Sequence, residues 1–170
     1  MMRPHFHLGL LFCCSLIAGC GSGIDPEIMS LRQKFVVERP PGDERPVPEI
    51  RADLKSGKLT SDTPFSVRVR INAGEVPAFA PGKATFIVTD ATGHDGDESH
   101  NPHDCPFCKR DIKSVIAQVE CHDQNGKLVQ VDSRKLFDIK EFDLLVLQGT
   151  GTFSKDDTLI INASKVFVAR

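Results

Sequence analysis

Three histidines and a Cys-x-x-Cys pair stand close together, in His94-Asp95-Gly96-Asp97-Glu98-Ser99-His100-Asn101-Pro102-His103-Asp104-Cys105-Pro106-Phe107-Cys108. Cysteines spaced as at 105 and 108 put two thiolates on one tight turn, which is half of a tetrahedral zinc site. His103, two residues before Cys105, can close a small chelate. His94 follows an expected strand and is better anchored than His100, which stands in an acidic run. The expected ligand set is therefore His94, His103, Cys105 and Cys108 around zinc, with His100 as a substitute. Cys121 and His122 are neighbours on a strand and point to opposite faces, so they can hardly serve one metal. Cys121 shares its face with apolar residues and is expected as a buried thiol, with His122 exposed near a hairpin end. Asp95, Asp97, Glu98 and Asp104 lack the spacing of a calcium loop and read as a solvated run.

The elements that must position this stretch have a period of two. Phe65, Val67, Val69 and Ile71 alternate with Ser66, Arg68, Arg70 and Asn72, which describes a half-buried strand. Residues 73–83 hold two Gly and two Pro and read as a loop, followed by a more fully buried strand over 84–90. A third strand is expected from Val115 to His122. Asn125-Gly126 is a hairpin signal that should return 127–131 onto it. A short helix is expected within 133–140, turning Leu136, Phe137 and Ile139 inward. Leu144-Leu145-Val146-Leu147 reads as a central strand, with Gly149 and Gly151 permitting a sharp curl. Residues 158–161 and 165–169 complete the sheet as one bent strand or two, and Asn162-Ala163-Ser164 reads as a turn. Three strand units, a short helix and a terminal pair resemble the OB-fold, a small partly open β-barrel. That resemblance implies an all-β domain over 64–170 with a His/Cys-rich loop at 91–113. A seven-strand sandwich is the alternative.

The first twenty residues are of another kind. One positive charge at Arg3 precedes an apolar run, Leu8 to Ile17, too short to span a bilayer but suited to a signal-peptide core. Leu16-Ile17-Ala18-Gly19-Cys20 resembles the lipobox of bacterial lipoproteins. The resemblance implies removal of residues 1–19 as a signal peptide and acylation of Cys20, including an N-acyl chain such as palmitate, which anchors the protein in a membrane. Gly21 and Ser22 after the Cys favour, by that family's sorting pattern, the outer membrane facing the periplasm. The segment 20–63 then reads as a lipidated N-terminus and a tether. Pro40, Pro41, Pro46 and Pro48 favour extended chain and argue against a sheet ladder. Asp25-Pro26 starts a short helix to about Val37, and a second helix is expected from Glu49 to Ser56, ended by Gly57. As a flexible coil, residues 21–63 would hold the domain on the order of 35 Å from the lipid. The competing expectation is a strap that packs Ile28, Leu31 and Phe35 onto the domain.

Composition bounds the partners. Loss of residues 1–19 leaves 20 basic against 23 acidic residues, and the chain has no Trp or Tyr, so nothing points to a nucleic-acid partner. No HExxH, GxSxG or phosphate-loop pattern occurs, and the expectation is a non-enzymatic binding or structural module with an unidentified envelope protein as partner. Cys105-Pro106-Phe107-Cys108 is also similar to the glutaredoxin active-site motif, which implies a periplasmic thiol-disulfide oxidoreductase as the alternative. No βαβ pattern surrounds the motif. An extracytoplasmic compartment also permits a plain Cys105–Cys108 disulfide without catalysis.

Overall fold

The computed structural model describes residues 25–92 and 101–170. The leader, Cys20, His94 and His100 lie outside these residues. The arm begins with α1 (Pro26–Phe35), whose first turn is capped by the Asp25 carboxylate accepting from Glu27 N–H at 2.9 Å. Next come β1 (Glu44–Arg45) and α2 (Val47–Ser56), the latter closed by Gly57 in a left-handed conformation. The sheet is built from β2 (Phe65–Ile71), β3 (Thr85–Asp90), β4 (Ile116–Glu120), β5 (Leu144–Phe153) and β6 (Leu159–Ala169). Two short helices, α3 (Pro106–Arg110) and α4 (Ile112–Val115), lead into β4, and α5 (Ser133–Phe137) separates β4 from β5.

Five strands close on themselves in the order β2-β3-β4-β6-β5, with β5 returning to β2 along Phe65↔Gly149 to Arg70↔Leu144. β4 and β6 run parallel and the other barrel pairs antiparallel, with β1 added to the rim of β2 as a sixth strand. This is a small OB-like all-β barrel. The sandwich alternative fails because β2–β5 pairing closes the sheet. Closure needs a sharp bend in the longest pair. Ser164 has no counterpart where Gln148 pairs Lys165 and Gly149 pairs Ala163, so a bulge lies there. A Cβ at residue 149 would run into the Asn162 carbonyl, which is why the bend carries glycine. The stretch 162–164 is thus strand, not turn.

Alternating side chains fill the barrel: Val67, Val69, Ile71, Phe86, Val88, Ala117, Val119, Cys121, Leu145, Leu147, Leu159 and Ile161 are all buried. Leu136, Phe137 and Ile139 point inward from and just after α5, as their spacing predicts. The return strand expected over 127–131 reduces to one bridge, His122↔Leu128, with Val129 bonded to Cys121 and Ala84 backbone. Val115 ends α4 rather than opening the strand.

The arm departs furthest from expectation. Phe35, Val47 and Ile50 are fully buried members of the barrel core, and Ile28, Leu31 and Leu54 pack against it. Phe35 meets Phe137 edge to face at 6.2 Å. Arg32 donates to the Leu136 and Lys135 carbonyls at 2.9 and 2.8 Å, Lys34 to His122 O at 3.0 Å, and Val37 N–H to Val166 O at 3.0 Å. From Pro26 to Ser56 the chain is a strap, not a spacer. Its proline-rich part also supplies a ladder: Glu44 and Arg45, between Pro41 and Pro46, pair in parallel with Ser66 and Val67.

Candidate thiol and metal site

The turn that carries the cysteines is anchored by two asparagines. Asn72, buried just past β2, donates from Nδ2 to Asn101 Oδ1 at 2.8 Å and accepts Gly74 N–H at 3.0 Å. Asn101 Oδ1 also accepts His103 N–H at 3.1 Å, and its carbonyl accepts from Asp104 and Cys105 N–H at 3.0 and 3.1 Å. Asn101 Nδ2 donates to Asp104 at 2.6 Å. One side chain therefore shapes the turn and ties it to the barrel. Neither asparagine is marked in the sequence, because Asn72 reads only as the polar residue after a strand.

Cys105 immediately precedes α3, with Pro106 at the first helical position. Its sulfur accepts from the Cys108 N–H, then from the Phe107 N–H and the Cys108 thiol, which holds the Cys105 thiol below its ordinary range. Burial pushes the Cys108 thiol up, as do its hydrogen bond to Cys105 and the nearby charges of Cys105 and Asp90. Cys105 is half-buried and Cys108 buried, with no disulfide among the described residues. Phe107, between them, projects into solvent at 74% exposure, with the Arg110 guanidinium 5.9 Å from its ring centre.

Asp90, at the end of β3, is an unforeseen organiser. One carboxylate oxygen accepts Val47 N–H at 2.8 Å and so caps α2, whose own N-cap Pro46 has no side-chain acceptor. The other accepts from Thr92 N–H and Oγ1 at 3.2 and 2.6 Å. The carboxylate that holds α2 is thus also a charge felt at Cys108.

His103 packs on the backbone of Gly74, which has a positive φ of +66°. A Cβ there would lie 2.6 Å from Nδ1 of the imidazole, so glycine is needed for the close approach as well as the conformation. Nε2 of His103 is shielded from solvent and has no hydrogen-bond partner among the described residues. Among the described residues no three His, Cys, Asp or Glu side chains are grouped to hold a metal. The structure thus brings Cys105 and Cys108 together and places His103 on the same turn, without a completed set.

The two remaining candidates lie elsewhere. Cys121 is fully buried in the barrel, and burial pushes its thiol up to about 12. His122 is half-buried rather than exposed: Nε2 lies 3.3 Å from Glu120, whose other oxygen accepts from Gln118 at 2.7 Å. The helix that begins at the Cys-x-x-Cys motif, α3, is short. Asp111, at φ −139°, breaks it after five residues, and β4 follows within one further turn.

No protein-family model matches the chain, and no curated protein matches it. No helix among the described residues is long and apolar enough to cross a membrane.

Proposed function

We propose that this is a lipid-anchored extracytoplasmic lipoprotein whose barrel domain binds a structural zinc ion and serves as a binding module. Cys105 and Cys108 are the thiolate ligands, His103 and His94 complete the set, and His100 is the substitute. The observation that carries the reading is the thiol pair itself. Cys105 and Cys108 share one turn with no bond between their sulfurs, and backbone N–H groups hold the Cys105 thiol below its ordinary range. Nε2 of His103, buried and without a hydrogen-bond partner among the described residues, supports it, since such a nitrogen is suited to a metal. Zinc would tie His94 to the turn and draw the proton from Cys108. Four protein ligands make a closed site, which fits a staple better than a hydrolytic centre.

The mature protein purified from its envelope should contain about one zinc per chain. Cys105→Ser/Cys108→Ser should lose it, and chelation should lower the thermal midpoint of wild type only. A metal-free wild type would sink the proposal.

One observation favours the thiol-disulfide alternative. The accessible thiol is the acidified one and the buried thiol the weaker acid, the division of labour that an attacking and a resolving cysteine require. Metal-free protein whose pair titrates as a reversible, relatively oxidising disulfide would select that function.

A further inference from the structure

We infer that the barrel rides directly on the membrane surface, with the α1 end toward the lipid and the Cys105–Cys108 turn facing away. This rests on the reading of Cys20 as the acylated N-terminus, and it replaces the long spacer expected from composition.

The argument is one of chain length. If 21–63 were a free coil, the domain would stand on the order of 35 Å from its anchor. The arm is clamped to the barrel from α1 onward by the Arg32, Lys34 and Val37 hydrogen bonds and by buried Phe35. Only Gly21, Ser22, Gly23 and Ile24 separate Cys20 from the capping residue Asp25. Whatever their conformation, five Cα steps cannot exceed about 18 Å. The start of α1 is therefore held within that distance of the acylated residue.

The barrel's construction then sets which end is near. Lys34 of α1 bonds to the carbonyl of His122, just beyond the last residue of β4, while α3 and α4 precede its first residue, Ile116. The five residues of β4 put about 17 Å between these two ends. α5, which receives Arg32, lies with α1 at the near end. Met29, on α1, is 47% exposed, whereas Phe107 projects between the cysteines at the opposite end. Anchored so, the thiol turn is presented to soluble molecules of the compartment and not to lipid.

The absence of Trp and Tyr makes the test clean, because one introduced Trp is the only such fluorophore. Met29→Trp and Phe107→Trp replace exposed side chains; Ser30→Trp, also exposed, is a second near-end reporter. The acylated full-length mature proteins would be reconstituted in phosphatidylethanolamine/phosphatidylglycerol vesicles containing headgroup-dansylated lipid. The expected result is strong loss of donor emission in the Met29→Trp and Ser30→Trp variants and little in Phe107→Trp. Equal loss at both ends, or greater loss in Phe107→Trp, in a protein whose mass shows acylation overturns the orientation alone. A mature protein whose mass shows no acyl chains overturns the anchor and, with it, the proposal.

Discussion

Two cysteine environments in one small barrel show how little residue type alone decides. Cys105 and Cys108 share a solvent-facing turn. Backbone donors acidify the first, and the second is buried beside it. Cys121 sits among Val119, Ala117 and Phe86 in the core, with no water to stabilise a thiolate. The contrast teaches that chemistry here depends on where polar backbone is left over. A short helix start offers unpaired N–H groups to Cys105, whereas backbone groups beside Cys121 are taken: its N–H goes to Ala84 O and its carbonyl to Val129 N–H.

The largest expected effect tests that contrast directly. At neutral pH, a metal-free native protein treated briefly with iodoacetamide should be alkylated at Cys105 and remain unmodified at Cys121. A thiol with a pKa of about 12 is ionised only to about one part in 10⁵ at pH 7. Peptide mass mapping that finds both sites labelled at similar rates would break the comparison.

A second prediction sharpens it through stability. Phe35→Ala removes a ring from the α1–α5–barrel contact beside the Cys121 end and should cost about 3–5 kcal/mol. Cys105→Ser in the metal-free protein, at a half-exposed position, should change stability by roughly 0.5 kcal/mol or less. Urea unfolding of the two variants decides. A Phe35→Ala loss near zero would mean that the arm is not part of the core in solution.

The smallest effect concerns the end of the barrel where α5 sits. Asp132 caps α5 by accepting Arg134 N–H at 3.0 Å. Its carboxyl is held down at about 2, chiefly by the hydrogen bond from the Arg134 side chain. Because the folded pKa lies below the ordinary 3.8, its stabilisation is complete above about pH 4 and disappears as pH falls toward 2. Asp132→Ala should cost about 1 kcal/mol at pH 7, and the difference from wild type should shrink across that acid window. A difference in thermal midpoint that stays constant down to pH 2 would contradict the assignment.

Strand positions were legible because a half-buried strand writes its burial into alternate residues: Phe65 to Ile71 shows it, and the structure buries that face. The α5 helix, the Gly57 cap and the bend at Gly149 were legible for similarly local reasons. The arm was not. Ile28, Leu31 and Phe35 mark a helix with an apolar side, but nothing in that spacing names the surface it covers. The N-terminus of α2 is satisfied by Asp90, far along the chain, so its beginning at Val47 rather than Glu49 could not be read locally. At the candidate site, the thiol pair was visible from spacing. The Asn72–Asn101 anchor and the fit of His103 on Gly74 were not, since each joins residues separated by a whole strand.

By itself, then, the sequence determined the all-β character, the helix signals of the arm, the burial of Cys121 and the pairing of Cys105 with Cys108, all consequences of near neighbours along the chain. Only the tertiary structure decided that the sheet closes, that the arm belongs to the core, and that Cys108 is the buried thiol of the pair. Those outcomes depend on which distant groups meet and on how much water remains between them. They are properties of packing, to which no short window of sequence has access.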